Sequence, residues 1–229
     1  MSKKQNTPIE STGLETVEHA LSRSEQYIEE NKKSLTIILV AIIIVVGGYM
    51  GYKRLYIGPK EIEAQSQVFR AEQYFAKDSF QIALEGDGNA LGFKDIIDEY
   101  GLTETANLSQ YYAGICYLRL GKFENAIEHL KKFDSGDKLV SVIAIGAIGD
   151  AYVELGDLKK AVNFYEKAAN KNKNPLTSAI YLKKAGLVYE KLGDYQKACE
   201  SYKKIKKNYP NSDEAKDIDK FVQAATMKM

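Results

Sequence analysis

Hydrophobic and polar positions divide the chain into a mixed leader, an uninterrupted apolar run and a long helical-period region. From Ser34 to Tyr52 no residue is charged, and ten positions are Leu, Ile or Val. At about 1.5 Å per residue this makes a helix of roughly 28 Å, close to the ~30 Å hydrocarbon core of a bilayer. A soluble core helix carries polar residues on one face at a period of about 3.6, and this stretch has no such face. Its apolar residues, at about −0.3 to −0.6 kcal/mol each, favour insertion by a few kcal/mol in total. A cleaved signal has a basic start, a short apolar region and small residues at the cut. Here the apolar run follows a 33-residue leader that contains acids, and it ends in Tyr-Met-Gly-Tyr-Lys-Arg. The pattern predicts a retained transmembrane anchor over residues 34–54.

The leader, residues 1–33, places Leu14, Val17, Leu21 and Ile28 on one helical face. It reads either as a loosely ordered tail or as an interfacial or partner-binding helix. Lys32 and Lys33 before the anchor balance Lys53 and Arg54 after it, so the positive-inside rule leaves the orientation open. Gly47 and Gly51 form a G-x-x-x-G pair at which another membrane helix, from a partner or a second copy, could approach closely.

Beyond the anchor, roughly 170 residues suffice for one domain with its own core. Three stretches there align: AGICYLRLGKFENAIEHLKKF from Ala113, IGDAYVELGDLKKAVNFYEKA from Ile148 and AGLVYEKLGDYQKACESYKKI from Ala185. Gly recurs at 114, 149 and 186, Tyr at 117, 152 and 189, Leu-Gly at 120–121, 155–156 and 192–193, and Ala at 126, 161 and 198. Each stretch reads as a helix–turn–helix. Gly and Ala permit close helix approach, Tyr fills the gap, and the Leu-Gly glycine takes the left-handed cap conformation. One such unit cannot cover its apolar face, so units stack into a solenoid.

These residues closely resemble the tetratricopeptide repeat, W-x2-L-G-x2-Y…A-x3-F…P. Units run over 107–140, 142–175 and 179–212, the last with Pro210 in place. They depart from the pattern at the Trp position, which holds Gln110, Ile145 and Leu182, and at the Phe position, which holds Leu130 or Tyr. With the anchor read from residues 34–54, the resemblance implies an all-α fold, a single transmembrane helix followed by an α-solenoid. Residues 60–106 read as a degenerate preceding unit, with one helix over 63–84 and a second over 89–101, broken at Gly86-Asp87-Gly88; residues 213–229 read as a C-terminal capping helix. It further implies a concave partner groove lined by Leu108, Tyr111, Ile115, Arg119, Ile143, Gly146, Asp150, Val153, Ile180, Lys183 and Leu187. Apolar residues with isolated charges suit an extended or helical protein segment; alternatively the chain's own 60–80 helix fills part of the groove. The Lys/Asn set by which some members grip a terminal carboxylate is missing.

Composition narrows the chemistry. No nucleophile elbow, phosphate-cradling loop or zinc signature appears, so no cofactor, metal or enzymatic activity is expected. Cys116 and Cys199 fall in repeats separated by a complete unit and are not expected to pair. Residues 60–158 carry nine Lys/Arg against seventeen Asp/Glu, and residues 159–207 thirteen against four, so a near-neutral total hides a dipolar molecule. Protein partners and a membrane fit this pattern, whereas nucleic acid is disfavoured by the membrane anchor.

The order of leader, anchor, degenerate unit and repeats also resembles the YfgM-like bitopic proteins of bacterial inner membranes, ancillary partners of the SecYEG translocon linked to periplasmic chaperones. That resemblance implies a cytoplasmic N-terminus, a periplasmic repeat domain and an adaptor role at the export channel. The alternative is an envelope scaffold for cell division or outer-membrane assembly, similar to periplasmic coordinators that share the Tyr-Pro-Asn-Ser-x-Glu-Ala ending at 209–215.

Overall fold

A computed structural model describes residues 27–229; the leader face at Leu14, Val17 and Leu21 lies outside them. Among the described residues all regular structure is helical, and it falls into two compact units meeting at residues 56 and 57.

The first unit contains α1 (Lys32–Tyr52), in which no residue is buried against protein. It is long and apolar enough to cross a membrane. A π-helical turn at Lys53–Ile57 leads into the second unit.

The second unit begins with α2 (Gly58–Ala76), α3 (Phe80–Glu85) and α4 (Phe93–Glu99). The single helix expected over 63–84 is therefore two. Asp78 takes a positive φ of 57° and breaks the ladder between α2 and α3, although neither Gly nor Pro marks the place. Ala64, Val68 and Ala71 of α2 are buried at helical spacing and share a core with Leu84, Phe93, Ile96, Ala113 and Cys116. Glu61 ties this unit to the next helix: its carboxylate accepts from the backbone N–H of Glu104 (2.8 Å) and the Thr105 hydroxyl (2.7 Å). These bonds hold its carboxyl below the usual range despite partial burial.

Three antiparallel helix pairs follow: α5 (Glu104–Arg119) with α6 (Phe123–Lys132), α7 (Val140–Glu154) with α8 (Leu158–Lys171), and α9 (Thr177–Lys191) with α10 (Tyr195–Asn208). Each pair turns through a glycine, Gly121, Gly156 or Gly193, at φ between 73° and 76°, a region that favours Gly. Asp157 and Asp194 then cap α8 and α10 by accepting from the N–H of Lys160 and Lys197, each at 3.1 Å. Such a cap contributes about 1 kcal/mol.

The repeated glycine explains how the pairs close. A Cβ on Gly114 would sit 2.5 Å from Leu130, one on Gly149 would sit 2.7 Å from the Tyr165 ring, and one on Gly186 would sit 2.3 Å from the Tyr202 ring. The large residue of each second helix thus rests on the bare backbone of the first, at the same offset in every repeat. Where that residue is Tyr, its hydroxyl donates to a carboxylate of the first helix: Tyr165 to Asp150 (2.5 Å), Tyr202 to Glu190 (2.7 Å). Leu130 has no hydroxyl to satisfy. The last apolar face is covered by a 3-10 turn (Asp213–Asp217) and α11 (Ile218–Thr226), which buries Ile218 and Ala225 and sets Phe221 against Tyr202. Cys116 and Cys199 are both buried, in separate core clusters.

Candidate protein-binding groove

The first helices of the three repeats share a cavity of about 710 Å³, which five expected groove residues line together: Tyr111, Ile115, Arg119, Ile143 and Asp150. The remaining six lie elsewhere. Leu108 lines a neighbouring cavity of about 730 Å³ beside α2. Val153 and Leu187 line one of about 510 Å³ with Lys184 and Lys191. Ile180 faces the segment 211–214. The Lys183 ammonium sits 4.9 Å from the Phe221 ring centre. Gly146 is buried, and its open space is taken by Tyr181, whose ring would lie 2.0 Å from an added Cβ.

Asp150, expected as an isolated charge, is already engaged. Lys184 of the next repeat reaches it at 2.7 Å, Tyr165 donates to it, and the same ammonium lies 5.6 Å from the Tyr165 ring and 5.7 Å from that of Tyr181. Burial, then the neighbouring Asp150 carboxylate, pushes both phenols well above their ordinary range. The ion pair is about a third exposed on each side, so on its own it contributes about 1 kcal/mol or less. Its larger effect is geometric: it ties repeat three to repeat two at Asp150, on the edge of the groove. Arg119 and Glu154 are the exposed charges left in that cavity.

Phe75, Leu118, Phe123, Ala147 and Tyr181 also line the groove and were not anticipated. Phe75 comes from α2 and stands edge-on to Tyr112, with ring centres 5.0 Å apart. The helix before the repeats thus contributes Phe75 to the lining of the groove. Its signal was the apolar stripe Ala64, Val68, Ala71, Phe75, which continues the core face into the groove.

The remaining titratable groups explain themselves structurally. Cys116 is pushed up to about 12 by burial. His129 is pushed down by burial, then by Lys132; its ring bonds Gln110 (2.8 Å) and stacks on Tyr117. Among the described residues no group of three or more His, Cys, Asp or Glu is placed to hold a metal ion.

Family models described as Tetratricopeptide repeat match residues 108–134 and 183–212, and a second of the same description matches 144–173. The three units are tetratricopeptide repeats. The fold agrees with solved structures. Two crystal structures of MamA are 22% and 21% identical, with TM-scores of 0.50 and 0.53. They cover 69% and 75% of this chain and 93% and 92% of their own. A kinesin light chain from Podosopora anserina with nearly identical TPR-like repeats is 15% identical with a TM-score of 0.54, covering 72% of this chain and 86% of its own. No curated protein matches the chain. A tetratricopeptide solenoid with an open, mixed apolar and charged groove is a protein-interaction module, and its partners are proteins.

Proposed function

We propose that the chain is a single-pass membrane adaptor, anchored by α1 in a bacterial inner membrane, whose repeat groove holds protein segments on the extracytoplasmic side. The observation that carries this reading is α1 itself. It has 21 residues, is charge-free from Ser34 to Tyr52, and buries no side chain against protein. Water is a poor solvent for such a surface and a bilayer a good one. Anchoring would make a weak groove effective by confining it where partners emerge, which raises their local concentration without new contacts.

The setting we propose is the Sec export channel and its periplasmic chaperones. Support for it comes from the arrangement of leader, anchor, degenerate unit and repeats. Gly47 and Gly51 suit it as well, since a Cβ on either meets nothing within 4 Å and a neighbouring membrane helix could approach there.

Two measurements test the reading in order. In intact spheroplasts, external protease should digest residues 57–229 and spare an N-terminal tag; the opposite pattern would reverse the orientation and remove the export setting. With the orientation established, co-purification in mild detergent should bring SecY. Recovery of an envelope-assembly complex without SecY would keep the anchored adaptor and reassign its setting.

A further inference from the structure

We propose that the repeat domain binds a second copy of itself head to tail, through an acidic cavity at one end and a lysine surface at the other. The sequence bias is −8 over residues 60–158 and +9 over 159–207, and each sign is represented at one end of the repeats, by a cavity and by an exposed helix face. The cavity of about 730 Å³ between α2, α5 and the α6–α7 loop is lined by Glu61, Glu72, Glu104, Asp134 and Asp137 and by no Lys or Arg. Glu61 and Asp137 have local work, capping α5 and α7. Glu72 and Asp134 make no ion pair within the described residues, and burial pushes the Glu72 carboxyl up. Around them Val68, Leu108 and Tyr112 offer apolar surface for an aliphatic stem.

At the other end α10 exposes Lys203, Lys204 and Lys207, none of them in an ion pair within the described residues, whereas Lys206 reaches Asp219. Repeat two, α7 and α8, stands between this helix and the cavity. Because α11 already covers the terminal apolar face, copies do not continue one another's solenoid; what remains for contact is charge and lysine stems. A second copy suits both ends at once. An anionic lipid surface or a basic protein would attract one end and repel the other. Placed head to tail, each pair of copies leaves one patch of each sign unused, so the contact is heterologous and extends into a row or ring.

The test uses the full chain in mild detergent, with mass followed by sedimentation. The wild type should form species larger than the monomer at about 0.01 M ionic strength and lose them at about 0.15 M, as the Debye length falls from roughly 30 Å to roughly 8 Å. Lys203→Glu with Lys204→Glu and Lys207→Glu should weaken association more than tenfold. So should Glu72→Lys with Asp134→Lys, which spares the capping carboxylates. Mixing the two reversed proteins should restore mixed assemblies, because each then offers what the other lost. Gln and Asn replacements at the same positions give an intermediate loss and guard against unfolding by reversal. A monomer at low salt would overturn the proposal, as would association indifferent to both reversals or a mixture that stays apart. Binding of the lysine surface to anionic phosphatidylglycerol vesicles without self-association would also overturn it, assigning that surface to lipid.

Discussion

α1 and α7 are equally apolar on average, yet one buries no residue against protein and the other buries eight. The difference lies in side-chain size. Between Leu35 and Val46, α1 carries Leu, Ile and Val around its whole circumference, and its glycines gather at one end. Helix α7 alternates Ala144, Gly146, Ala147, Gly149 and Ala151, leaving two bare tracks, one for Tyr165 of its own repeat and one for Tyr181 of the next. Apolar content alone therefore does not make a core helix. Small residues let neighbouring helices approach closely, and α7 has them where its neighbours pack.

The largest effect should come from filling one of those tracks. Gly149→Leu forces the Tyr165 ring away and breaks its bond to Asp150, and overpacking of this kind costs roughly 3 kcal/mol. For a domain of this size that is on the order of 10 °C in thermal midpoint. Circular dichroism melts of the full chain in detergent would show it. The matching change in the other region, Gly47→Ile with Gly51→Ile, should leave the repeat melt unmoved, since nothing lies within 4 Å of either glycine. Equal shifts from both would erase the distinction between the two helices.

A second test concerns chemical access. Cys116 is fully buried with its thiol pushed up to about 12, so it should resist alkylation in the native chain and react on unfolding. Rapid native labelling at Cys116 would mean that the first repeat opens far more readily than its packing implies.

The smallest effect is a pH dependence at His129. Burial favours its neutral form, as do Lys132 and Lys94, while Glu128 and Asp98 oppose them less strongly. The folded pKa is therefore lowered. Its stabilising contribution is full above the unfolded value of about 6.5 and is lost as pH falls through the folded one. His129→Gln should flatten the melting temperature between about pH 7 and about pH 5 relative to wild type, in the region where the unfolded imidazole takes up its proton.

Much of this fold was legible because its determinants are local and repeated. Gly114, Gly149 and Gly186 each meet a partner in their own repeat, and Gly121, Gly156 and Gly193 end helices by their own backbone conformation. What escaped depends on neighbours far along the chain. Gly146 looked like groove surface, but its partner Tyr181 belongs to the following repeat. Asp150 looked free, but Lys184 lies a whole unit away. The break at Asp78 carries no Gly or Pro, so only the packing of α3 and α4 on α2 reveals it. In the groove, the five residues that share one cavity come from α5 and α7, where the family pattern is followed; Phe75 comes from the degenerate unit, where no pattern guides the eye.

If α1 is the proposed anchor, the two apolar helices depend on different surroundings, α1 on lipid and α7 on its neighbouring repeats. Amide hydrogen exchange tests it most directly, comparing the full chain in lipid nanodiscs with residues 57–229 alone in water. Strong protection of α1 is expected in the nanodisc, with the same protection of α5 to α10 in both samples. Rapid exchange of α1 in lipid, or loosening of α7 once residues 1–56 are removed, would contradict it.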